Sequence, residues 1–328
     1  MMPHHPITMA RLFLLLLLLF AVYPCHGVAQ PIAREGASPL PWVTRQVSAP
    51  GVEFHTFESR LAKTTVSFHI YKPAAYNAEP QRRFPVLYWL HGTGGGLPGI
   101  APLSRLFDDA IRAGKIPPML IVFANGLATS MWCDSKDGAV PMESLVITEL
   151  VPHVDASFRT IGSRRGRLIE GFSMGGYGAA RLGFTYPDLF GAVSILAGGP
   201  LDLEFAGPRA MGNPREREYI LRTFGSDLDY FKAQSPIRIA ERHADAIRGA
   251  VRVRIVVGTR DATYPLNAAY SEHLTALHIP HTFESVPSVA HDTPALLNEL
   301  GDNNWAFYRA VFADAAPRES AASPQHSR

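Results

Sequence analysis

The chain has 328 residues, 47% apolar and 18% charged, with a formal net charge of +2. That balance belongs to a packed globular protein and excludes a disordered chain. No long basic run is present, which excludes nucleic-acid binding through a charged face.

The N-terminus comes first. Arg11 precedes an apolar run from Leu12 to Val22, Pro24 breaks it, and Gly27-Val28-Ala29 puts small residues at a cleavage position. This pattern predicts a signal peptide over residues 1–29, a mature chain from Gln30, and a secreted or periplasmic protein. An uncleaved anchor is the competing possibility, but the run is shorter than the ~20 residues that span a bilayer. No membrane span is therefore expected after cleavage. Cys25 would leave with the signal, so Cys133 would be the only thiol and no internal disulfide could form.

Residues 30–50 are rich in Pro, Ala and Ser and predict an entry linker to a domain over 51–313. Val52 to Glu58 and Thr64 to Tyr71 alternate apolar and polar positions, as an antiparallel hairpin does. Five short apolar runs follow: Phe84–Leu90, Met119–Phe123, Arg167–Glu170, Ala192–Leu196 and Val251–Val257. They suit strands buried on both faces. Helical stretches separate them, at Leu103–Ala113, Met142–Ser157, Met174–Thr185 and Asn267–Leu277. This alternation predicts an α/β fold with a mostly parallel central sheet, flanking helices and an antiparallel N-terminal hairpin. Gly199 to Gly249 carries no obvious strand and predicts an excursion over the top edge of the sheet. His281–Val286 is the last expected strand and Pro294–Phe312 the last helix; residues 314–328 are expected to be a disordered tail.

Gly171-Phe172-Ser173-Met174-Gly175 matches G-x-S-x-G between an expected strand and an expected helix. A sharp strand-to-helix turn presents the serine, and flanking glycines remove side chains that would clash. Ser173 is the expected nucleophile. Its partners should follow in the order acid, then histidine. Asp261 closes Gly258-Thr259-Arg260-Asp261 at the C-terminal end of a strand, where catalytic groups of open α/β sheets gather. His291 lies on the loop between the last strand and the last helix. Asp292 beside it suits a helix N-cap. The tetrahedral oxyanion needs backbone donors. Met174 N–H should supply one, and Thr93 N–H, in His91-Gly92-Thr93-Gly94-Gly95-Gly96, the other. Gly94 to Gly99 fits G-x-G-x-x-G only formally, because Pro98 interrupts it, so no dinucleotide is expected. No cofactor or metal is implied.

With these residues in place the chain resembles the esterase D-like family, which includes feruloyl and acetylxylan esterases, S-formylglutathione hydrolases and mycolyltransferases. The likeness runs from about Val52 to Phe312 and is strongest at Val86–Gly92, Glu149–Asp155 and Gly171–Gly178. It implies the α/β-hydrolase fold, oxyanion donors at Thr93 and Met174, and a loop over Asn125–Ser135 beside the active site. Trp132 and Asp134 would then line a substrate pocket, or merely anchor that loop. Val289-Ala290 departs from the two glycines that the family often has before the histidine.

The expected function is hydrolysis of a small-molecule or carbohydrate-linked carboxylic ester through an acyl-enzyme. Transfer of the acyl group to a sugar or other alcohol is the alternative that a Ser-His-Asp triad does not separate. A non-catalytic binding module on the same fold is a third possibility. S-formylglutathione fits poorly, since that substrate is cytosolic and export is expected here.

Overall fold

The computed structural model describes residues 40–199, 221–313 and 315. The expected signal peptide, most of the expected tail and residues 200–220 of the excursion lie outside them.

Eight strands form one sheet: β1 Val52–Ser59, β2 Thr64–Tyr71, β3 Val86–Leu90, β4 Leu120–Ala124, β5 Arg167–Phe172, β6 Ala192–Leu196, β7 Arg252–Gly258 and β8 His281–Val286. Their order is β1-β2-β4-β3-β5-β6-β7-β8. β1 pairs antiparallel with β2, and β2 with β4. Every pairing from β4 to β8 is parallel. The helices are α1 Ala74–Ala78, α2 Leu97–Arg112, α3 Met142–Leu145, α4 Val151–Ser157, α5 Met174–Thr185, α6 Leu228–Gln234, α7 Pro236–Ile247, α8 Tyr264–Ala276, α9 Thr293–Glu299 and α10 Asp302–Phe312.

β3, β4 and β6 are buried along their whole length, as their continuous apolar runs require. Successive residues serve opposite faces: Val86, Tyr88 and Leu90 pack with α5 and α7, while Leu87 and Trp89 pack with α2, α9 and α10. The result is three layers with a core on each side of the sheet. The α10 face also holds a fully buried ion pair, Arg254 Nη2 to Glu170 Oε2 at 2.8 Å. Arg254 donates further to Ser194, Asn304 and Tyr308, and Tyr308 to Glu170. The pair is thus satisfied on every side, the condition under which a buried charge pair is tolerated.

Five expectations shift. α2 begins at Leu97 rather than Leu103 and α8 at Tyr264 rather than Asn267, because Pro98 and Pro265 occupy first turns, where no N–H is needed. The single helix expected over Pro294–Phe312 is two, α9 and α10, parted at Gly301 with φ +54°. Met142–Ser157 is interrupted by a π-helical turn, Val146–Leu150. The described part of the expected linker, residues 40–50, is a packed strap: Trp42 is buried, and its carbonyl accepts from Ser67 N–H. Thr44 N–H donates to Ser67 Oγ and Val47 N–H to His69 Nε2, which fixes the strap along β2.

Candidate active site

Ser173 occupies the turn between β5 and α5 with φ +59° and ψ −120°. A non-glycine residue there carries strain of about 1–3 kcal/mol, and the surroundings over-determine it. Ser173 N–H donates to Leu196 O, and Ser173 O accepts from Tyr177 and Gly199 N–H. Two neighbouring positions admit only glycine. A Cβ on Gly175 would stand 1.9 Å from Leu90 O, and one on Gly171 2.2 Å from Gly175 O.

Asp261 and His291 come together from the ends of β7 and β8. His291 Nδ1 lies 2.7 Å from Asp261 Oδ2, the carboxylate side chain 1% exposed and the imidazole 40%. Asp261 Oδ1 accepts from Thr263 N–H at 2.7 Å and from its hydroxyl at 2.8 Å. Burial alone would raise the Asp261 pKa; the bonds from His291 and Thr263 outweigh it and hold the carboxyl below its ordinary range. The imidazole also packs on Phe172, ring centroids 4.5 Å apart, which brings His291 to the residue before Ser173. Gly258 allows the histidine loop in: a Cβ there would meet Val289 O at 2.2 Å. Val289 itself is buried, so the departure from glycine adds core rather than slack. Asp292 caps α9, accepting from Ala295 N–H at 2.8 Å.

The loop after β3 lies against the serine. A Cβ on Gly92 would be 3.2 Å from Ser173 Cβ and 3.8 Å from its Oγ. Thr93 is exposed, and its N–H donates to no described residue. Met174 opens α5, where the first N–H groups lack intrahelical acceptors. His91, unassigned from the sequence, holds this loop. Its Nε2 accepts from Gly126 N–H at 3.1 Å, so the proton sits on Nδ1, which donates to Gly92 O at 2.7 Å. Burial pushes its pKa down to about 4, keeping it neutral.

Trp132 and Asp134 were expected either to line a pocket or to anchor their loop. Trp132 is fully buried, wedged where a Cβ on Gly126 or Gly178 would strike its ring, and its indole N–H donates to His91 O at 3.1 Å. It is a pillar beneath the loop. Asp134 is occupied with Ser144, accepting from its N–H and hydroxyl at the start of α3. Another residue that the sequence left unassigned is Asn267, which is buried and brackets Gly198 by accepting from its N–H and donating to its O. Its only sequence signal was its place at the start of an expected helix. The Glu149–Asp155 segment supplies scaffolding: Glu149 accepts from the β1–β2 turn, His153 stacks on Phe57, and Asp155 pairs with Arg167. Among the described residues no group of three His, Cys, Asp or Glu side chains is placed to hold a metal.

A mostly parallel sheet with a strained serine on its strand-to-helix turn, and an Asp–His pair on the two loops that follow, defines an α/β-hydrolase. The chain belongs to the family described as "Putative esterase", whose model matches residues 59–319. It is 30% identical over 176 residues to an endo-1,4-beta-xylanase/feruloyl esterase of Xylanibacter ruminicola. That match takes in 51% of this chain and 24% of the relative, so the chain spans about a quarter of the relative's length. Among solved structures, a ferulic acid esterase superposes with a TM-score of 0.66 at 22% identity, covering 80% of this chain and 98% of its own. An S-formylglutathione hydrolase from Agrobacterium tumefaciens gives 0.63 at 17% identity, covering 82% and 98%. These two likenesses concern the fold.

Proposed function

We propose that the chain is an exported carboxylic-ester hydrolase that works through Ser173, His291 and Asp261. Ser173 Oγ attacks the ester carbonyl carbon as His291 Nε2 takes its proton, and Asp261 stabilises the imidazolium through Nδ1–H. The oxyanion meets the N–H groups of Thr93 and Met174. Collapse expels the alcohol with the proton from His291, and water activated by the same imidazole releases the acid. The observation that carries this reading is the buried Asp261 carboxylate 2.7 Å from an imidazole that packs on Phe172, the residue before the elbow serine. The exposure of His291 favours water over a second alcohol as acceptor. Export rests on the N-terminal pattern of charge, apolar run and small residues; among the described residues no helix is long and apolar enough to cross a membrane.

Ser173→Ala is expected to abolish turnover of p-nitrophenyl esters, at least about 10³-fold, with an unchanged circular-dichroism melt. A fluorophosphonate probe should label Ser173 in the wild type. Normal turnover by the alanine variant, or labelling of a different serine, would refute the assignment.

A further inference from the structure

A cavity of about 530 Å³ opens beside the loop after β3, within the size range of small-molecule sites. Its walls include Trp89, Leu97, Ile100, Phe123 and Leu127, and Gly94 to Gly96 form one side. Gly94 and Gly95, at φ +95° and +110°, have nothing within 4 Å of where a Cβ would stand, so the loop borders open space there. Gly94 is two residues from Gly92, which touches Ser173; that places the cavity wall within about 8 Å of backbone from the nucleophile's neighbour.

The outer wall is the strap, which contributes Pro41, Val43 and Arg45. Asn125 Nδ2 clamps it by donating to Pro41 O and Trp42 O. Among the described residues only four large apolar side chains are exposed, and two of them, Leu40 and Val43, lie on this strap. The cavity therefore has an apolar lip. Arg45 is the one charged side chain in the lining, because burial holds His69 and His91 neutral, each with a pKa of about 4. The family model begins at residue 59, so this wall lies outside the part of the chain that matches the family.

Sheet order decides which half of an ester can enter. The cavity lies on the β4 side of β3, whereas His291 and Asp261 arrive from β7 and β8, beyond β5. The leaving alcohol must stand beside His291 to take its proton, so the acyl arm is the part free to turn toward β3 and β4. We infer that this cavity is the acyl subsite and that the strap over residues 41–45 gives the enzyme a preference for bulky apolar acyl arms over acetyl.

The inference rests on the esterase reading above, and its test separates the two. With p-nitrophenol as a constant leaving group, kcat/KM of the full chain is expected to rise about fourfold per acyl methylene from acetate through butyrate to hexanoate. Val43→Trp at the exposed lip and Leu97→Trp on the inner wall should each cut the hexanoate-to-acetate ratio at least tenfold. Val43 is exposed, so its variant should keep the wild-type melt; if one variant fails to fold, the other decides. A flat or falling wild-type series, or a ratio unmoved in every folded variant, overturns the acyl subsite and leaves the esterase standing. A wild-type chain that hydrolyses none of the esters removes both.

Discussion

Gly92 leaves only tight space for a side chain between the β3 loop and the proposed nucleophile. A methyl there would sit 3.8 Å from Ser173 Oγ, in the space that an approaching carbonyl carbon must use. Attack needs reacting atoms about 3–3.5 Å apart in line. Gly92→Ala is therefore expected to lower kcat/KM for p-nitrophenyl esters by about 10- to 100-fold with little change in melting temperature, and unaltered turnover would show that the loop yields. The candidates Ser173 and Asp261 could be picked out of the sequence because each follows a strand marked by an apolar run, and His291 because it lies on the loop between the last expected strand and the last expected helix. Trp132 was legible only as one of two alternatives, a pocket wall or an anchor of its loop. Its place depends on Gly126 of its own loop and on Gly178, distant in sequence on α5, leaving room for its ring. Thr263, which fixes the unshared oxygen of Asp261, carried no signal beyond its short spacing from that residue.

The elements show the same division. Strands buried on both faces declare themselves by composition, and seven of the eight appear where apolar or alternating runs put them; β8, half-buried and mixed in composition, has no such mark. Helix interiors are harder, since periodicity continues smoothly through a register change. Pro152 cannot donate to the carbonyl of Thr148, and its ring would clash with that carbonyl in an unbroken α-helix. The wider π-helical turn over Val146–Leu150 comes just before it, as such bulges accommodate a misfit inside a helix. Glu149 on that turn accepts from Ser59 Oγ, Arg60 N–H and Leu61 N–H, tying the hairpin turn to the helix layer. Glu149→Ala leaves those donors to water and is expected to cost about 1–2 kcal/mol in urea unfolding. The hairpin lies at the β1 edge, away from β5, so esterase activity should stay within about twofold of wild type. A larger loss of activity than of stability would mean that the hairpin reaches the site.

Across the whole molecule, two neutral histidines make the fold sensitive to acid. Burial lowers the pKa of His69 and His91 from 6.5 to about 4, and each accepts a backbone N–H, from Val47 and Gly126, at the nitrogen that would have to protonate. The unfolded chain therefore binds more protons than the folded one between these values. Stability is full above about pH 6.5 and is lost as the pH falls toward about 4, on the order of 3 kcal/mol for each histidine. Asp261 acts in the same direction at still lower pH, because its carboxyl is held below the ordinary range and protonating it breaks the bonds from His291 and Thr263. The first loss would release the strap through Val47 and the β3 loop through Gly126, so both proposed walls of the acyl subsite loosen together. Melting temperature is expected to fall by roughly 10 °C between pH 7 and 4.5. In His69→Gln, a side-chain oxygen can accept from Val47 without titrating, and the fall should shrink to about half. A wild-type melt that is flat over this range would show that neither buried imidazole governs the acid limb, and a variant with the full wild-type slope would show that His69 does not.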